Sequence, residues 1–165
     1  MSNPITAFIP YSGEQFTKAT VEQLQASGLV EKIFLLTTGA EGLSLNGCES
    51  LPIDSVTSSH TMQKIAKKSK THFTLFVLHD TAIDFGPFAL ERFLSVAEST
   101  VSGIVYSDYY DMKLGIRTPH AVIEYQEGSV RDDFNFGSVL CLNSVILKHD
   151  AAEIAESHFA IAGLC

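Results

Sequence analysis

Residues 73–80 read FTLFVLHD. From Phe73 to Leu78 every position except Thr74 is apolar, so both faces of the segment must be buried. A strand with one wet face alternates apolar and polar residues. A strand apolar on both faces belongs in the middle of a mainly parallel sheet with helices on each side. The flanking sequence supplies such helices. Upstream, Thr57 or Ser58 can cap a helix in which Met62, Ile65, Ala66 and Ser69 recur at the spacing of one buried face. Downstream, after Asp84 and Gly86, Pro87 sits at a favourable first helical position, and Leu90, Phe93, Leu94 and Ala97 form the next buried stripe.

Further out the same alternation continues. Residues 5–11 form an apolar first strand closed by Pro10, which has no N–H to give to a ladder. A helix follows, with Glu14 in its first turn, apolar Phe16, Ala19, Val21 and Leu24, and Gly28 as terminator. Residues 32–38 make a second strand that breaks at Gly39 and Gly42, a weaker strand lies near 48–53, and another spans 102–107. Strands alternating with helices of this length imply right-handed crossovers and an α/β, Rossmann-like, mainly parallel sheet with helices on both faces. Beyond Asp111 the pattern loosens: 120–125 and 136–142 read as strands and 151–157 as a helix.

The 165 residues fit one domain spanning 1–165. At 45% apolar and 18% charged the chain is globular rather than disordered. A net charge of −8 argues against nucleic acid as a partner, because phosphate binding needs clustered cations. The one basic cluster, Lys64, Lys67, Lys68 and Lys70, reads as a solvated helix face. Cys48, Cys141 and Cys165 form no CxxC pair, and the histidines show no HxxxH spacing, so neither a disulfide framework nor a zinc site is indicated. This cysteine usage, with no signal-peptide pattern after Met1 and no apolar run of ~20 residues, predicts a reducing, cytoplasmic setting without a transmembrane segment. The apolar ending, 159–165, reads as a cut inside a larger protein.

In a parallel α/β sheet, ligands bind at the carboxyl ends of the strands. Those ends are polar here: Tyr11-Ser12-Gly13-Glu14, Thr37-Thr38-Gly39, His79-Asp80-Thr81 with Asp84, and Ser107-Asp108 with Asp111. Acids and hydroxyls gathered at one edge suit a polar ligand, or a hard cation held between carboxylates and phosphates. Taken singly, Asp80 reads equally well as a turn residue and Asp108 as a solvated loop carboxylate. The first turn lacks G-x-G-x-x-G, which excludes a dinucleotide fingerprint.

The run ITAFIPYSGEQF resembles the opening strand and turn of family 2 glycosyltransferases of the GT-A fold. THFTLFVLHDTAIDFGPFALERFL is similar to their central strand, acidic motif and following helix. SGIVYSDYYD resembles the next strand, and EYQEGSVRDDFNFGSVLCLNSVILK their acceptor-side segment. The more specific parts are Tyr106-Ser107-Asp108 and the stretch from Arg131 to Gly137. The resemblance implies a nucleotide-diphosphate sugar donor, a divalent cation (Mg²⁺ or Mn²⁺) and inverting transfer to a glycan or other hydroxyl acceptor. Carried over by position, Pro10, Tyr11, Ser12, Glu14, Thr37 and Thr38 line the nucleotide site, with Arg131 also on the donor. Asp80 is the metal-facing acid. Asp108, Asp132 and Asp133 are the candidates for the catalytic base.

The sequence also departs from that pattern. Ser12 stands where the family has Asn, Thr37 or Thr38 where it has Asp, and Ala82 where the second acid of its D-x-D motif falls. In the family the base usually comes from a helix that follows an A-G-L-like stretch, and this chain ends at Ala162-Gly163-Leu164-Cys165. Two functions are therefore carried forward: a glycosyltransferase domain whose isolated form turns over slowly or not at all, and a non-catalytic domain of the same fold that binds a nucleotide or a partner.

Overall fold

Every residue of Ile5–Pro10 (β1) and of Phe73–Val77 (β4) is buried. The two strands lie side by side and parallel, Ile5 opposite Phe73 and Phe8 opposite Phe76. The structure, a computed structural model, describes residues 3–39, 45–122 and 135–153. Between β1 and β4 the chain forms α1 (Glu14–Ala26), β2 (Val30–Thr37), β3 (Cys48–Pro52) and α2 (Ser59–Lys68). After β4 come α3 (Ala89–Thr100), β5 (Ile104–Val105), β6 (Tyr109–Lys113), β7 (Ile116–His120), β8 (Val139–Asn143) and α4 (Ser144–Glu153).

The main sheet has the order β3-β2-β1-β4-β8-β5. β1 to β4 are mutually parallel, and β8 runs antiparallel to both β4 and β5, so β5 points the same way as the first four. The expected mainly parallel sheet with helices on both faces is present. Side chains alternate across it. Ile5, Ala7, Ile9, Leu35, Leu75 and Val77 face α1 and α3, where Val21, Leu24, Leu90, Phe93, Leu94 and Ala97 cover them. Phe8, Phe34, Leu36, Phe76, Leu140 and Leu142 face α2 and α4, under Met62, Ile65, Ala66, Leu147 and Ala151. Thr74, the one polar residue of the central run, is fully buried; its hydroxyl lies 2.8 Å from those of both Ser69 and Ser144. That triad joins the end of α2, β4 and the start of α4.

Several boundaries differ from the sequence reading. Ser58 caps α2 as expected, its side chain accepting the Thr61 N–H. Pro87 is not the first residue of α3: the helix starts at Ala89, after Phe88 in the left-handed region (φ 59°). The buried face of α1 is Thr17, Thr20, Val21 and Leu24, whereas Phe16 and Ala19 are exposed. β7 ends at the first residue of the strand expected at 120–125, of which 123–125 lie outside the described residues, and it pairs with β6 in a separate hairpin turned at Leu114 and Gly115. α4 begins at Ser144, ahead of the expected 151, and residues 154–157 of the expected helix lie outside the described residues.

Candidate functional site

The strand order sets the place of the site. From β1 the chain builds outward through β2 to β3, then α2 carries it back across β1 to β4 on the other side. The direction of sheet growth thus reverses between β1 and β4, and the connections leaving their carboxyl ends part company there. A crevice outside such a switch point is where open α/β sheets take ligands.

At that edge Asp80 follows β4 and Ser12 follows β1. The Asp80 carboxylate accepts the Ser12 N–H at 3.2 Å, the Ser12 hydroxyl, and the Thr17 hydroxyl at 3.4 Å. One oxygen serves Ser12 and the other Thr17. The next residues of the same loop are held by the same helix. The Thr20 hydroxyl donates to Ile83 O and accepts the Ile83 N–H, both at 3.0 Å. Gln23 donates to the Asp84 carboxylate at 2.8 Å and accepts the Phe85 N–H at 2.9 Å. Thr17, Thr20 and Gln23 recur three residues apart on α1, so they form a ladder along one side of it. The sequence reading did not single them out. Their signal is two threonines on the face that also carries Val21 and Leu24.

The other predicted donor residues sit around this clamp. Pro10 ends β1 opposite Leu36 and is buried. Tyr11 is 5% exposed and belongs to the core on the α1 side, with its N–H on Leu36 O at 2.9 Å. Glu14 opens α1. Thr37 is buried at the end of β2, its hydroxyl 3.2 Å from that of Ser50, while Thr38 is exposed. The structure brings Pro10, Tyr11, Ser12, Thr37, Thr38 and Asp80 onto three adjacent strand ends. Beside them, after β3, Asp54 lies 2.8 Å from His60 at the start of α2. That hydrogen bond holds the Asp54 carboxyl below the usual carboxylate range, with Lys64 contributing less.

Asp108 is separate from this group. It stands at the base of the β6–β7 hairpin, exposed, and accepts the Val122 N–H at 2.7 Å. Asp111 pairs with His120 at 3.0 Å, and the Tyr109 ring stacks on His120 with centroids 5.0 Å apart. Asn135 donates to the Tyr109 hydroxyl at 2.9 Å and accepts the Gly137 N–H, tying the hairpin to the entry of β8. Arg131, Asp132 and Asp133 lie outside the described residues.

The donor set does not fit a preformed divalent-cation site. Cation cages gather several oxygen ligands. Here both oxygens of Asp80 are engaged by hydroxyls, Ala82 occupies the second acidic position, and Asp84 is bonded to Gln23. Among the described residues no group of three or more His, Cys, Asp or Glu side chains comes together.

No protein-family model and no curated protein sequence matches the chain. Solved structures do. A 4-diphosphocytidyl-2C-methyl-D-erythritol synthase from Anaerococcus prevotii superposes with a TM-score of 0.53 at 10% identity, over 94% of this chain and 78% of that one. A 2-C-methyl-D-erythritol 4-phosphate cytidylyltransferase from Thermus thermophilus superposes with a TM-score of 0.53 at 14% identity, over 96% of this chain and 81% of that one. At such identities the likeness shows the fold alone: a mainly parallel α/β sheet with helices on both faces.

Proposed function

We propose that this chain is a nucleotide-sugar-binding domain of the family 2 glycosyltransferase kind, taking its donor at the carboxyl ends of β1, β2 and β4. The observation that carries the reading is the switch point between β1 and β4, where Ser12 and Asp80 meet. The structural relatives, both named for cytidine-nucleotide chemistry, support a nucleotide ligand. The turn after β1, Tyr11-Ser12-Gly13, contains no Lys or Arg. A triphosphate needs dense positive charge around it, so the reading favours a diphosphate sugar over a nucleoside triphosphate. Arg131 is the cation proposed to meet the diphosphate, and Asp108, Asp132 and Asp133 are the proposed acids on the acceptor side.

Transfer to a hydroxyl with inversion asks a base to take the proton of the attacking oxygen as the carbon–oxygen bond forms and the nucleotide diphosphate leaves. Asp108 is exposed at the hairpin base and free of the Asp80 clamp, which suits an acid meeting an incoming acceptor. The engagement of Asp80 and the alanine at position 82 favour a second reading, a domain that binds the nucleotide without turning it over.

Nitrogen-proton NMR spectra recorded with UDP, GDP, CDP and the corresponding nucleotide sugars test the site. At least one of them is expected to shift the amides of Ser12, Thr38 and Thr81. No shift with any of them removes the nucleotide reading. Release of free sugar or its transfer to an added acceptor then separates the two readings. Where turnover occurs, Asp108→Asn is expected to lower kcat by about 10²–10⁴, the usual worth of a general base.

A further inference from the structure

We propose that ligand binding at this edge is independent of divalent cations, with Ser12, Thr17 and Gln23 serving as the fixed partners of the acidic loop. The inference rests on the nucleotide reading above, but it departs from the cation that the family resemblance implies. Asp80 is then a positioning residue: it locks the turn after β1 to the loop after β4 and shapes the mouth of the site.

Three observations converge. Both carboxylates of the loop are bonded to α1 or to the turn before it, Asp80 to Ser12 and Thr17, and Asp84 to Gln23. The intervening backbone is fixed by Thr20, which satisfies both the N–H and the carbonyl of Ile83. The position between the two acids where a further ligand would be needed is Ala82. A hard cation that entered here would compete with the hydroxyls bonded to Asp80 and would find one protein carboxylate, so the ligand's phosphates and water would have to fill every remaining place. A carboxylate that already accepts hydrogen bonds from several donors has its charge stabilised without an ion.

Asp80→Asn can be accommodated. The amide oxygen can take the two Ser12 donors, and the amide nitrogen can donate to the Thr17 hydroxyl, which accepts as readily as it donates. The test uses the whole chain and paramagnetic Mn²⁺ as the probe. Ser12 N–H points at Asp80 and Thr81 follows it, so Mn²⁺ bound there would broaden both amides beyond detection. In wild type, Mn²⁺ is expected to leave them no more broadened than amides elsewhere on the surface. Nucleotide affinities measured by calorimetry in EDTA and in Mn²⁺ are expected to agree within about threefold, a difference well under one tenfold step. Selective broadening of Ser12 and Thr81 that Asp80→Asn abolishes would overturn the proposal. So would an affinity that rises tenfold or more on adding Mn²⁺. If no nucleotide binds in either buffer, the functional reading fails, while the Mn²⁺ spectra still decide the role of Asp80.

Discussion

Val101 ends α3 in the left-handed region, with φ 54° and ψ 33°, and is 81% exposed. A β-branched side chain crowds its own backbone there, and glycine does not. Val101→Gly removes that crowding and loses almost no buried surface, although glycine also gives the unfolded chain more freedom. The net effect is expected to be a gain of roughly 0.5 kcal/mol, read as a rise in Tm of a few degrees. Cys141, 1% exposed within β8, shows the opposite sensitivity. Burial pushes its thiol from an ordinary 9.0 up to about 12. At neutral pH it stays protonated and shielded, so alkylation is expected only in denaturant. Above pH 9 the unfolded thiol ionises before the folded one, and stability declines as pH climbs from there towards 12. At this scale the sequence is legible where burial alone selects the residue. It is silent where a hydrogen bond selects it: Thr74 interrupts the apolar run only because Ser69 and Ser144 meet it inside.

α1 shows the same limit at the scale of an element. Its apolar residues are Phe16, Ala19, Val21 and Leu24, yet the covered face carries Thr17 and Thr20 beside Val21 and Leu24, and leaves Phe16 and Ala19 exposed. The cause is a loop 63 residues away along the chain, which offers the hydroxyls their partners. No local pattern carries that information. By contrast α3, which packs into an apolar cluster with residues of β1 and β4, buries the predicted Leu90, Phe93, Leu94 and Ala97. Thr20→Val keeps the shape of the α1 face and deletes both bonds to Ile83, leaving a half-buried amide and carbonyl without them. The expected cost is about 1–3 kcal/mol, and the Ile83 amide should exchange with solvent much faster than its neighbours in β4. Unchanged exchange at Ile83 would mean that packing, not the ladder, fixes the loop. The β6–β7 hairpin was illegible for another reason: it is a short two-stranded ribbon, mostly exposed, so the apolar alternation that marks a core strand is missing.

Across the whole molecule, the parallel half of the sheet follows from the sequence because each of its strands is joined to the next by a helix or loop of ordinary length. The other half does not. β8 enters between β4 and β5 and pairs Phe73 with Asn143 and Val105 with Cys141, a register that no neighbouring residues dictate. Phe76 lies where the two halves join, 1% exposed, opposite Phe8 on one side and Leu140 on the other. Phe76→Ala is expected to cost about 3–5 kcal/mol, a large part of a total stability of ~5–15 kcal/mol, measured as a lowered urea midpoint at unchanged slope. That Pro10, Tyr11, Ser12, Thr37, Thr38 and Asp80 would meet on neighbouring strand ends was legible, because they close or follow parallel strands of one sheet. The place of Asp108 was not, because it depends on the hairpin that follows it. The late arrival of β8 also governs how the chain is made. As it leaves the ribosome, β1 to β4 can pair in the order of synthesis, but β4 keeps a bare apolar edge, and β5 has no neighbour, until residues 139–143 emerge. At ~5–20 residues per second this lasts on the order of several seconds. Throughout that interval the nascent protein carries an open strand edge of the kind that recruits other chains, so a chaperone that caps it early, or fast codons between β5 and β8, would raise the yield of folded protein.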